Sequence, residues 1–71
     1  MYTPTEIIFS VEEAPEGGYT AIALGYSIVT EADTMAELKE MVRDAVRLHF
    51  DEGKWPPVIR LHRVHDEVIA V

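Results

Sequence analysis

Apolar and polar positions alternate with a period of two along the first part of the chain. They shift to a helical period in the middle and return to a period of two afterwards. Residues 5–11 predict a first strand, with Ile7, Phe9 and Val11 on one face and Ile8 and Ser10 on the other. Both faces carry apolar weight, which suits a central strand. Residues 12–18 predict a turn, because Pro15 and the Gly17-Gly18 pair supply the fixed and positive φ values that a reversal needs. Residues 19–24 predict a second strand, with Tyr19, Ala21 and Ala23 opposite Thr20, Ile22 and Leu24. Gly25 interrupts it as a turn or bulge. Residues 26–30 predict a third strand, so that three antiparallel strands form a meander. Residues 1–4 are expected to be a frayed or extended lead-in.

After a short connection at residues 31–33, the Thr34-Met35-Ala36-Glu37 step reads as a capping box. In such a box the Thr34 hydroxyl accepts from the backbone three residues on, and Glu37 reaches back to the Thr34 N–H. The helix is expected to reach about Phe50. Leu38, Met41, Val42, Ala45, Val46 and His49 form one apolar stripe, in which His49 is expected to be partly buried. Glu37, Lys39, Glu40, Arg43, Asp44 and Arg47 form the polar side. Gly53 is a natural stop, and Pro56-Pro57 forbids continuation. Residues 58–71 are β-rich and interrupted at Asp66-Glu67, giving either one long strand with a bulge or a short hairpin.

The expected architecture is therefore α+β, in the order β-β-β-α-β, as one domain over residues 1–71. The last strand should return to the sheet parallel to a strand already there, as strands after a crossover helix do. The helix covers one sheet face. The other, carrying some of Ile8, Ile22, Leu24 and Ile28, has no second layer to cover it.

Composition sharpens this picture. A chain of 71 residues buries only about 60% of its unfolded surface, leaving about 3–5 kcal/mol of net stability. It has no cysteine, which excludes disulfides and disfavours a thiolate zinc site. A thin core and an uncovered face point to self-association, as a dimer or tetramer. There are 13 Asp and Glu against 6 Lys and Arg, a formal charge of −7. A nucleic-acid backbone repels such a surface, whereas a small basic protein is drawn to it. The N-terminus lacks a basic and apolar leader, and no apolar run approaches the roughly 20 residues that span a bilayer. A cytoplasmic location is expected.

Several of these features together resemble the HicB-like antitoxin family. They are the first strand, the acidic turn, the Gly17-Gly18-Tyr19 step, the segment 30–34 (TEADT) and the helix beginning Met35-Ala36-Glu37-Leu38. The resemblance covers about residues 5–52, and a last strand follows in the same order. It implies a partial ribonuclease H-like fold, oligomerisation and, in full antitoxins, neutralisation of a small basic HicA-type toxin that cleaves mRNA. The family often carries a Pro-x-x-Pro-Gly segment between its second and third strands, where this chain has Ala23-Leu24-Gly25-Tyr26. Full antitoxins also carry a C-terminal DNA-binding segment. The chain is expected to be a solitary, trimmed member without one.

Candidate chemistry is sparse. A ribonuclease H-like hydrolase needs carboxylates converging on two metal ions, yet residues 7–11 contain none; Glu6 and Glu12 flank them. Glu37, Glu40 and Asp44 read as a solvated helix face. His62 and His65, three apart in a strand, point to opposite faces and form no metal pair unless a hairpin intervenes. Gly17-Gly18 lacks the Lys and Ser or Thr of a phosphate loop. No cofactor is implied. Trp55, before the two prolines, is either an interface anchor or a plug between sheet and helix. The leading expectation is a non-catalytic binding protein that meets a basic partner through Glu12, Glu13, Glu16, Glu37, Glu40 and Trp55. A small DNA-binding regulator or a vestigial hydrolase is the alternative.

Overall fold

The alternation of Ile7, Phe9 and Val11 builds the middle of the sheet. In the computed structural model, which describes residues 5–71, β1 (Glu6–Glu13) buries these three side chains at 1%, 0% and 1% exposure. The expected lead-in at residues 1–4 lies outside the described residues. β2 (Tyr19–Ala23) pairs antiparallel with β1, and β3 (Val29–Ala32) pairs antiparallel with β2. After the helix α1 (Met35–His49), β4 (Val58–Val64) returns parallel to β1. The sheet order is β3-β2-β1-β4. The β-β-β-α-β order, the meander, the central first strand and the parallel return all match the sequence expectation.

The turn between β1 and β2 is closed by two backbone bonds. The Ala14 N–H donates to the Gly18 carbonyl at 2.9 Å, and the Gly17 N–H to the Ala14 carbonyl at 3.0 Å. Gly18 is needed twice over. Its φ is +87°, and a Cβ there would stand 3.1 Å from the Ala32 carbonyl oxygen. The turn thus lies directly against the end of β3.

The third strand differs from its expected place at residues 26–30. The chain loops through residues 24–28, with Gly25 at φ +84° and the Ala23 N–H bonded to the Ile28 carbonyl at 2.9 Å. Pairing begins only at Val29 and runs on to Ala32, because Tyr19 and Thr20 in β2 offer ladder partners to Ala32 and Glu31. Pairing with a neighbouring strand overrides the weak strand propensity of those residues. The supposed connection at residues 31–33 is therefore mostly strand. Ile28, expected on the uncovered face, turns inward and is 6% exposed.

Helix α1 starts where the cap predicts. Thr34 is extended at φ −128° and ψ 159°, and its Oγ1 accepts from the Glu37 N–H at 3.1 Å. The reciprocal half of the box differs, since the Glu37 carboxylate accepts from the Thr34 hydroxyl at 3.3 Å. Thr34→Ala is expected to cost about 1 kcal/mol in denaturant melts by orphaning the Glu37 N–H; an unchanged midpoint would place the helix start elsewhere. Leu38, Val42 and Val46 face the sheet at 0%, 1% and 1% exposure. Met41 and His49 lie at the stripe's margins and are exposed, contrary to the expectation of a partly buried His49. The His49 ring packs edge-on against Tyr26 and Phe50, with centroids 5.8 and 5.1 Å away. The helix ends at His49, before Gly53, because Phe50 is already extended at φ −99° and ψ 154°.

Residues 65–71 form neither the long bulged strand nor the hairpin. β4 stops at Val64, since its ladder runs only opposite Glu6 to Glu12, and β1 then turns away. Helix α1 covers the sheet face bearing Ile7, Phe9, Val11, Ala21 and Ala23. The opposite face mixes Ile8, Ile22, Val29, Val58 and Val64 with Glu12, Glu31, His62 and a Glu6–Arg60 ion pair of 2.7 Å. The hydrogen bond from Arg60 to Glu6, reinforced by their attraction, holds the guanidinium above its ordinary pKa.

A candidate partner-binding surface

Four acidic residues line one cleft at one end of the fold, delivered by four different segments. Glu16 sits on the β1–β2 turn, Glu31 on β3, Asp33 between β3 and α1, and Glu37 in the first turn of α1. Together with Gly17, Gly18, Tyr19, Thr20, Ala32 and Met41 they line an open cleft of about 450 Å³. The close approach of Gly18 to Ala32 brings the turn and β3 together, and Thr34 fixes where the helix begins. None of the six Lys and Arg residues lines this cleft.

The expected site residues divide among three places. Glu16 and Glu37 are in the cleft. Glu12 and Glu13 border a separate depression with Ala14, Pro15, Val64, His65 and Asp66, on the far side of the same turn. Glu40 lies on the exposed helix face, where Arg43 binds it at 2.7 Å and neutralises it locally. Trp55 is remote from the acid cluster. It is half-buried against the core and lines a groove with Arg43, Val46, Arg47, Pro56, Pro57 and Ile59. Glu31 and Asp33 belong to the acid excess but were not singled out as site residues. The meander held their signal, because a third strand beside the second must end next to the β1–β2 turn.

Recognition of cations is one chemistry that such a lining offers. Carboxylates accept charge-assisted hydrogen bonds from guanidinium or ammonium groups, and two oxygens on one carboxylate suit a bidentate arginine. The only hydroxyls among the lining residues are those of Tyr19 and Thr20, and no histidine or lysine stands there to activate them. His65 lies 3.7 Å from Glu67, both exposed, and His62 stands on the uncovered face of β4 opposite Ser10. Among the described residues no group of three or more His, Asp or Glu side chains is arranged to hold a metal ion. No helix of the described residues is long and apolar enough to cross a membrane.

Two known proteins resemble this chain along much of its length. One is a UPF0150 protein of Thermotoga maritima, 46% identical over 71 residues, covering 100% of both chains. The other is a UPF0150 protein of Archaeoglobus fulgidus, 60% identical over 50 residues, which are 70% of this chain and 74% of that one. No family model matches the chain. No solved structure matches it at a significant level.

Proposed function

The chain belongs to the UPF0150 family, and from that starting point we propose that it is a non-catalytic, self-associating binding protein of HicB-like antitoxin character. It neutralises a small basic protein, of the kind that cleaves mRNA, by occluding the partner's cationic surface. The observation that carries this reading is the cleft itself: Glu16, Glu31, Asp33 and Glu37 line it, and none of the six Lys and Arg does.

The rest of the surface supports the same reading. The formal charge is −7, and complementary fields of this kind raise association rates and suppress wrong partners. A DNA-reading role draws on six dispersed Lys and Arg residues, of which Arg43 is paired to Glu40 and Arg60 to Glu6. A vestigial hydrolase draws on Glu6 and Glu12 in β1, of which Glu6 is held by Arg60.

The test uses the protein encoded beside this chain, which this reading expects to be small and basic. That protein is expected to degrade mRNA by itself and to lose the activity when this chain is added in equal amount. A neighbour that neither binds nor is inhibited would sink the antitoxin reading. A tight, salt-sensitive shift of duplex DNA by this chain alone would transfer the reading to a transcriptional regulator.

A further inference from the structure

Strand β4 is hydrogen-bonded to β1 along one edge and, among the described residues, to no strand along the other. Beyond it, residues 65–71 enter no helix or strand, and all are exposed. Three of them are large and apolar: Val68 at 97% and Ile69 at 83% exposure, and Val71, which is fully exposed. An unpaired edge followed by an unpaired apolar segment is a template for strand addition. On the helix side, β4 presents the half-buried Ile59 and Leu61, which line a groove of about 290 Å³ with Lys39, Val42 and Arg43.

We propose that residues 58–71 of two copies pair antiparallel about a two-fold axis at His65, joining their sheets edge to edge. This names the seam for the self-association included above, and it does not depend on the basic partner. A two-fold axis perpendicular to the sheet keeps each face on its own side, so paired residues must share a face. With the axis at His65, the helix-side pairs are Ile59 with Val71, Leu61 with Ile69, and Arg63 with Glu67 of the second copy. The opposite side pairs Arg60 with Ala70, His62 with Val68, and Val64 with Asp66.

The neighbouring registers fail on chemistry. An axis at Val64 sets Leu61 against Glu67 and Arg63 against His65. An axis at Asp66 sets two like charges directly opposite one another, which is destabilising. Only the His65 axis joins apolar to apolar on the helix side and gives Arg63 a carboxylate. Arg63 is already held there, its guanidinium 5.6 Å from the centre of the Tyr19 ring. Ile69 and Val71 of the second copy then extend the apolar floor formed by Ile59 and Leu61.

Two experiments test this seam. Light scattering coupled to gel filtration should find the wild-type chain dimeric at micromolar concentration. Ile69→Asp should weaken the dimer at least tenfold, about the loss expected at an interface anchor. Ile69 is 83% exposed within one copy, so circular dichroism should be unchanged. The chain has no cysteine, so His65→Cys alone, or Leu61→Cys mixed with Ile69→Cys, should give a covalent dimer on mild oxidation. Paired positions in antiparallel strands lie within disulfide reach. A strictly monomeric wild-type chain would overturn the proposal. So would a dimer that survives Ile69→Asp and is lost instead on Ile22→Asp, since that would place the contact on the uncovered sheet face. A chain that dimerises through this seam yet binds no basic partner would uphold the seam and sink the partner reading.

Discussion

Replacing Phe9 by alanine is expected to abolish the cooperative folded state. Phe9 is 0% exposed and sits in β1, flanked by Ala23 of β2 and Leu61 of β4. Removing a fully buried phenylalanine costs about 3–5 kcal/mol, from lost transfer energy and the cavity left behind. That equals the net stability of about 3–5 kcal/mol that a core of this size supplies. The small Ala21 and Ala23 across the sheet cannot move in to fill the gap, because their positions are fixed by the β1–β2 ladder. Far-ultraviolet circular dichroism and urea melts check the outcome, with Ile22→Ala as the comparison. Ile22 is 41% exposed, so its truncation should shift the midpoint only slightly. A Phe9→Ala chain that melts near the wild-type midpoint would mean that the core lies elsewhere.

Reversing the cleft is expected to have the largest effect on partner binding. The changes are Glu16→Lys, Glu31→Lys and Asp33→Lys together; Glu37 is spared because it belongs to the helix cap. They cancel most of the formal −7 and place three cations at the proposed docking cleft. Steering fields raise association rates by about 10–10³-fold, so the triple variant should associate slower by about that range at low salt. The dependence on salt should flatten with it. The same reversal at Glu12 and Glu13, which lie outside the cleft, should act more weakly. All these side chains are exposed, so the melts should stay close to wild type.

The elements legible in the sequence are those with an internal signal. The period of β1 named its buried face residue by residue, and Thr34 marked the helix start through a bond that its own side chain makes. The parallel return of β4 followed from chain connectivity. What was illegible depends on neighbours distant in sequence. Val29 to Ala32 become a strand because β2 is beside them. Ile28 turns inward because a loop closes between Ala23 and Ile28. His49 falls at the margin of a stripe whose buried centre is Leu38, Val42 and Val46. The cleft was half legible. The acid excess showed in the composition, but which carboxylates meet is decided by the approach of Gly18 to Ala32. Trp55, an interface anchor or a plug by its place before the two prolines, packs half-buried against the core in another groove.

The central claim is that the acidic end of this fold is a docking site for a cationic protein. Its most direct measurement is surface-bound kinetics with the protein encoded alongside, expected to be small and basic, for the wild-type chain and the triple cleft variant, at low and at physiological salt. Fast, salt-sensitive association is expected for the wild type and slow, salt-insensitive association for the variant. Equal rates for the two chains at both salt concentrations would contradict it.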